Sequence, residues 1–362
     1  MVAMTGPVDA PIPTVLIAGA GLGGLMLGSS IVISANILPV FEQLGIYEEL
    51  KSISLPFSAV LMLDKKLGYL GDFCGPYHKI ITGYEMHILS RPKLYDLLHR
   101  KVPEHKVSRG KKVLRTEEHG DRITAYCSDG TEYECNILVG ADGAYSAVRQ
   151  DMYKKLDEEG SLPLSDKENL SIAYINLVGI SSPPNTEKYP ELSETDRSIV
   201  RIIVGDNNDS CCYATIPNNQ ICWGIQIQLP EHEAKQLRSG NSEWGPESAD
   251  AMLKEYEDFP CAFGGTMKDL FDTTPQHLIS KVFLEEKIFQ TWHRGRVVLI
   301  GDGAVMAMLD AVVLANCLYN MDDKSDESIE KAFSDYYKQR FFDAENKVNS
   351  SGIFTRILYG HI

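Results

Sequence analysis

Positive charge is what this chain has least of. Its 362 residues carry 35 Lys and Arg against 50 Asp and Glu, a formal net charge of −15 at pH 7. Polyanions demand the opposite balance, so no nucleic acid or anionic surface is expected as a partner. Metal-binding spacings are also missing. The nine histidines contain no HxxxH and the eight cysteines no CxxC, which removes the common zinc patterns and the thioredoxin-like redox motif. Cysteines scattered in this way are expected to be reduced and structural, as in a cytoplasmic protein. There is no GxSxG, hence no pointer to a nucleophile elbow. Internal repeats and low-complexity tracts are absent as well.

Charge of either sign is missing from residues 10–41, a stretch long enough to imitate a membrane span. No Lys or Arg precedes Lys51, so the positive flank of a signal peptide is lacking. Gly19, Gly21, Gly23, Gly24 and Gly28, with Asn36, Pro39 and several serines, interrupt the run. A buried, glycine-turned α/β unit accounts for it better than lipid does, and no integral membrane segment is expected.

What is present falls into an order. The length suits about two domains, and 44% hydrophobic residues supply ample core. Strand, glycine turn and helix recur three times. Residues 14–18 lead into Gly19-Ala20-Gly21-Leu22-Gly23-Gly24, which fits GxGxxG between a strand and a helix. Residues 136–141 lead into Asp142-Gly143 and a helix from Ser146, and residues 296–301 into Asp302-Gly303 and a helix over 304–319. Short apolar runs ending in Gly or Asp read as buried parallel strands. Between the second and third sites, residues 171–180, 198–204, 211–216 and 220–228 read as strands of a largely antiparallel sheet, with 181–197 as a long surface loop. Residues 112–118 and 121–127, with the Asp129-Gly130 turn, predict a β-meander.

In this order the motifs resemble the class A flavoprotein monooxygenases, the aromatic-hydroxylase family, and within it the fungal natural-product branch. The resemblance spans nearly the whole chain. It is carried by GAGLGG, ILSRPKLYDLLHRKV at 88–102, ILVGADGAYSAVR at 137–149, VVLIGD at 297–302 and AVMAMLDAVVLA at 304–315. A lone GxGxxG is shared with NAD enzymes and plain tight turns; the series of sites is specific. The resemblance implies an α/β fold, a Rossmann-like FAD-binding domain (1–50, 84–165 and 283–362) with an inserted β-rich substrate domain (51–83 and 166–282). It implies FAD as cofactor, NADPH as reductant, and oxygen transfer to a small hydrophobic polyketide, terpenoid or indole-diterpene intermediate. Localisation would be cytoplasmic, with peripheral contact to membranes where such substrates reside.

Residue by residue, the resemblance places Gly19, Gly21 and Gly24 at the FAD pyrophosphate, approached by backbone N–H groups at a helix start. Arg91 would supply positive charge near the cofactor, the alternative being a solvent-facing charge on an amphipathic helix. Asp142 and Gly143 would lie where FAD and the nicotinamide pass, the alternative being a tight turn with Asp as local cap. Asp302 would accept from the ribityl hydroxyls or cap the following helix, and Ala304 would open the helix that points at the flavin. Tyr213 is a candidate catalytic residue in the substrate sheet, an ordinary buried tyrosine being the alternative. Trp223 and Trp292 are expected in the core.

Two departures weaken the cofactor site. An acid about 20 residues after the first glycine should hold a ribose, and Glu42 is near that spacing. However, Pro39 does not suit an interior strand. Asn36 as cap, Pro39 in the first turn, Gly45 as terminator and the face Ile37, Val40, Phe41, Leu44 predict a helix instead, with Glu42 in solvent. ANILPVFEQLGIYEEL then resembles the helix after the family's third strand and SSIVIS the strand itself. The rest of the first helix, the second strand and its ribose acid are missing, and so is the loop between Asp302 and the next helix. FAD affinity well below that of intact relatives is therefore expected. Two other classes stay open: a flavin-free descendant acting as cyclase or isomerase, with Asp142 or Tyr213 moving protons, and a non-catalytic, truncated remnant.

Overall fold

In a computed structural model, residues 13–19, 29–57, 59–73, 77–182, 187–193, 196–230, 249–301 and 304–358 are described. The chain forms two compact units. The first comprises Met1–Gly23, Lys101–Leu170 and Lys287–Gly352, the second Gly24–Arg100, Ser171–Glu286 and Ile353–Ile362. The expected boundaries put 24–50 and 84–100 on the cofactor side. They fall in the second unit because strand Ser30–Ile33 pairs antiparallel with Met86–Ser90, which also pairs with Leu55–Phe57.

The first unit is built on the three predicted parallel strands. Val15–Ala18 pairs with Ile137–Gly140, which pairs with Val297–Leu299, and His293–Arg294 closes the far edge antiparallel. The central strand is short, apolar and buried on both faces, as a parallel strand between two layers must be. One face packs on helix Ala147–Glu158, whose buried Val148, Met152, Tyr153 and Leu156 follow helical spacing, and on the meander Val113–His119, Arg122–Cys127 and Glu132–Cys135. The other face receives Leu314 from helix Ala304–Tyr319 and Ile329, Phe333 and Tyr336 from helix Asp326–Leu358. The first strand is different: Ile17 is 61% exposed, and among the described residues the strand pairs along one edge only.

The second unit holds a seven-stranded sheet in the order Ser280–Glu286, Ser171–Ser181, Gln220–Gln228, Asp209–Ile216, Val200–Val204, Val60–Leu63, Tyr69–Phe73. It is antiparallel except between Val200–Val204 and Val60–Leu63. Asn218 and Asn219, both at positive φ, supply the tight hairpin between its two inner strands. One face carries the larger core, with Trp223 and Tyr213 fully enclosed and helices Asp250–Tyr256 and Met267–Phe271 packed over them. The opposite face meets the small sheet through Ile180, Ala214, Cys222, Phe57, Met86 and Ile88. The stretch 181–197 is not wholly a surface loop: Tyr189, just before the short helical turn Pro190–Ser193, and Leu192 within it are buried in the larger core.

The helix expected around Pro39 exists as Leu38–Gln43, with Pro39 in its first turn and Gly45 at φ 68° after its end. Two details differ. Ile37 occupies the capping position, while Asn36 accepts a hydrogen bond from the Ser34 hydroxyl. Leu38 joins Ile37 and Phe41 in the core, whereas Leu44, the last residue before Gly45, is 58% exposed. Among the described residues no helix is long and apolar enough to cross a membrane, and no group of three or more metal-ligating side chains occurs.

Candidate functional site

Ligands of open α/β sheets bind beyond the carboxyl ends of the parallel strands. In the first unit three turns leave those ends: Gly19, Asp142-Gly143 and Gly301. Gly19 has φ 109°, and a Cβ there would lie 2.1 Å from the Ala141 carbonyl oxygen. Ala141 N in turn donates to the Ala18 carbonyl at 2.7 Å. Only glycine permits so close an approach of the first and second turns. Gly21, Gly24 and Asp302 lie outside the described residues, and Ala304 opens helix Ala304–Tyr319.

The Asp142 carboxylate faces a helix start. Its Oδ1 accepts from the Ser146 hydroxyl at 2.5 Å and its Oδ2 from Ala147 N at 2.8 Å and Val148 N at 3.3 Å. Ser146, the N-cap residue, accepts from Arg149 N at 2.9 Å. Negative charge against exposed N–H groups is favourable there. Gly143, at φ 82°, makes the sharp turn possible. Asp142 is thus the local cap.

Arg91 begins helix Arg91–His99, with Pro92 beside it in the first turn and Ser90 extended before it. It is not a solvent-facing charge. Burial is the main influence on its guanidinium and pulls its pKa down, with Cys222 close enough to oppose the shift. Its N–H donates to the Ser29 carbonyl at 3.0 Å, tying the helix start to the small sheet of the second unit.

Tyr213 is corrected from candidate catalyst to core residue. It is 1% exposed, its hydroxyl donates to the Pro260 carbonyl at 2.7 Å, and its ring meets Phe263 edge-on. Burial pushes its phenol well up, so it holds its proton tightly. The opposite face of the same strand packs on the small sheet at Ala214. Cys212, on that face of the interior strand, is exposed, yet the surrounding protein pushes its thiol up to about 12. Gly224, Val178 and Asn176 share that face, and the buried Asn176 Oδ1 has no hydrogen-bond partner among the described residues.

Sequence reasoning passed over Asp310 and Arg340. Asp310 Oδ2 accepts from Gly301 N at 2.9 Å and its Oδ1 from Arg340 Nε at 2.7 Å. Both side chains are nearly inaccessible, 3% and 5% exposed. The signal was there: Asp310 is the one charged residue between Ala304 and Tyr319.

No family model matches the sequence. The chain is similar to the FAD-dependent monooxygenase esdpE of Penicillium shearii, 26% identical over 363 residues that cover 92% of this chain and 70% of the relative. It is also 26% identical to the FAD-dependent monooxygenase ausM of Penicillium brasilianum, over 91% of this chain and 71% of that protein. In fold it matches HpxO of Klebsiella pneumoniae complexed with FAD and uric acid, at a TM-score of 0.73, 21% identity and coverage of 96% and 88%. A salicylate hydroxylase substrate complex matches at a TM-score of 0.72, 16% identity and coverage of 96% and 89%.

Proposed function

We infer that the chain is a class A FAD-dependent monooxygenase related to those of fungal natural-product pathways. One observation carries this reading: the turns at Gly19, Asp142-Gly143 and Gly301 leave the carboxyl ends of adjacent parallel strands, in the arrangement a dinucleotide needs. The residues fit the cofactor in kind. Gly19 lets the first turn pack against the backbone of the second at Ala141, and Gly301 directly precedes Asp302, the proposed partner of the ribityl hydroxyls. FAD, when bound and reduced by NADPH, would activate O₂ and supply the oxygen atom that a hydrophobic intermediate receives. The protein's own part is to bind, orient and exclude water. Arg91, partly buried, would provide positive charge.

The exposed Ile17 supports the reading that the second strand and its ribose acid are missing, and thus that FAD affinity is reduced. The same observation favours the second reading, a flavin-free descendant. The visible spectrum of the purified protein, followed by titration with FAD, tests both. A flavin spectrum, or saturable binding weaker than in intact relatives, supports the monooxygenase. A colourless, cooperatively folding protein that never takes up FAD supports the descendant, and aggregation a non-catalytic remnant.

A further inference from the structure

We propose that Asp310 is a positioning residue for the cofactor turn, held by Arg340 so that its carboxylate fixes the Gly301 amide and with it the chain entering Asp302. This rests on the reading of Asp302 as a cofactor acid. Three consecutive residues before Asp302 are clamped from different sides. Tyr336 O–H donates to the Leu299 carbonyl at 3.1 Å, Ile300 N donates to the Gly140 carbonyl at 3.0 Å, and Gly301 N donates to Asp310 at 2.9 Å. Gly301 admits the carboxylate because a Cβ there would lie 3.0 Å from Asp310 Oδ2. The helix starts at Ala304, so Asp310 sits in its second turn and reaches back over its own N-terminus. Arg340, from the last helix, also donates to Asp343 at 2.8 Å.

Stability alone is a poor reason for such a pair. Two charges taken out of water cost several kcal/mol, and apolar residues of similar volume in their place are often neutral or stabilising. What an apolar pair lacks is an acceptor for the Gly301 N–H. The pair's distinctive product is therefore the fixed geometry of the 299–301 chain, at the point where the sequence reaches Asp302.

The test compares wild type, Asp310→Asn, and the double variant Asp310→Leu with Arg340→Met, which leaves no stranded charge. Melting temperature, hydrogen exchange of a peptide spanning Gly301, and FAD affinity by fluorescence titration are measured on the full chain. The double variant should melt near wild type, exchange faster at Gly301 and bind FAD about tenfold more weakly, since binding must then supply the ordering of a backbone residue that Asp310 no longer fixes. Asp310→Asn keeps an acceptor for Gly301 and should recover part of that affinity; if stranding Arg340 prevents folding, the double variant decides. Unchanged exchange and unchanged FAD affinity in a folded double variant overturn the proposal. If wild type itself fails to bind FAD, the monooxygenase reading falls, and the exchange data still decide whether Asp310 fixes the turn.

Discussion

The two units solve the problem of holding a sheet in different ways. In the second unit the strands are long, up to the 11 residues of Ser171–Ser181, and the sheet is stabilised by area, with Trp223, Tyr213, Ile203 and Ile225 closed over by two helices. In the first unit the parallel strands run three or four residues, and the outer one leaves Ile17 exposed. There the chain is fixed by directed polar contacts at the strand ends: Asp142 on the Ala147–Glu158 helix start, Asp310 on Gly301, Tyr336 on Leu299. Burial tolerates some misplacement of atoms; directed contacts do not. A unit that places a cofactor, as proposed for the first, needs the second kind.

The sharpest way to break this comparison is to remove a large side chain from each sheet. Trp223→Ala empties the space between Gly179, Phe271 and Thr274, whose hydroxyl accepts the indole N–H at 3.0 Å. A loss of ~3–5 kcal/mol is expected, read as a large fall in the denaturation midpoint. Ile17→Thr in the first sheet should alter stability little, because the side chain is mostly in water already. Comparable losses from the two substitutions, measured by urea denaturation, would mean that the outer parallel strand is covered in solution.

A smaller effect separates directed contacts from burial. Asp142→Ala strips the acceptor from Ala147 N and from the Ser146 hydroxyl, and should cost ~1–2 kcal/mol as capping substitutions do. Asp142→Asn keeps one acceptor and should recover much of it. If Asp142→Ala and Asp142→Asn melt alike, the charge and not the hydrogen bonds stabilises the helix start. If both melt like wild type while FAD binding falls, Asp142 serves the cofactor more than the fold.

These contrasts also explain what could be read along the chain. Gln220–Gln228 was legible to the residue, since turn formers bound it on both sides, Asn218-Asn219 before and Pro230 after. The three parallel strands were legible as short apolar runs ending in Gly or Asp. Tyr213 was misread because alternation says that Tyr213 and Cys212 face opposite ways but not which way is inward; the helices over Tyr213 decide that, and they come later in the chain. Asp310 was overlooked because its partner lies 30 residues on and its second contact is a backbone amide. Arg91 was legible in place and not in surroundings, as burial is a tertiary property.

Acidification probes both units more gently. His87, 4% exposed, has its Nδ1 against the Ser54 hydroxyl at 2.8 Å; that hydroxyl already donates to the Leu50 carbonyl, so Nδ1 carries the proton. Burial lowers the pKa of His87 below the usual 6.5, against the opposing pull of Glu85. His293 in the first unit is lowered mainly by burial too, opposed by Glu330. For a folded-state pKa below the unfolded one, the unfolded chain binds more protons in the window between them, so stability falls as pH drops from about 6.5 towards the folded value. Melting temperatures should therefore decline from pH 7 to 5, before the carboxylates titrate. His87→Gln should flatten part of that decline; an unaltered slope would assign it to His293 or to other groups.

Glu42 should give the smallest effect. Spacing from Gly19 makes it the one acid in range of a ribose, yet it lies on the exposed side of helix Leu38–Gln43 in the second unit, and its carboxylate accepts from the Tyr84 hydroxyl. Surface changes of this kind leave stability nearly untouched, so Glu42→Ala should melt with wild type. FAD affinity separates two readings of the shortened cofactor unit. If the ribose acid is missing, Glu42→Ala binds FAD as wild type does. If Glu42 stands in for it, the variant loses a hydrogen bond to a charged acceptor, about a tenfold weakening or more. Loss of FAD affinity at an unchanged melting temperature would mean that an acid on a helix has replaced the acid on the missing strand. The bond to Tyr84 argues for the first outcome, since a carboxylate already engaged on the surface has no reason to be held in place for a ribose.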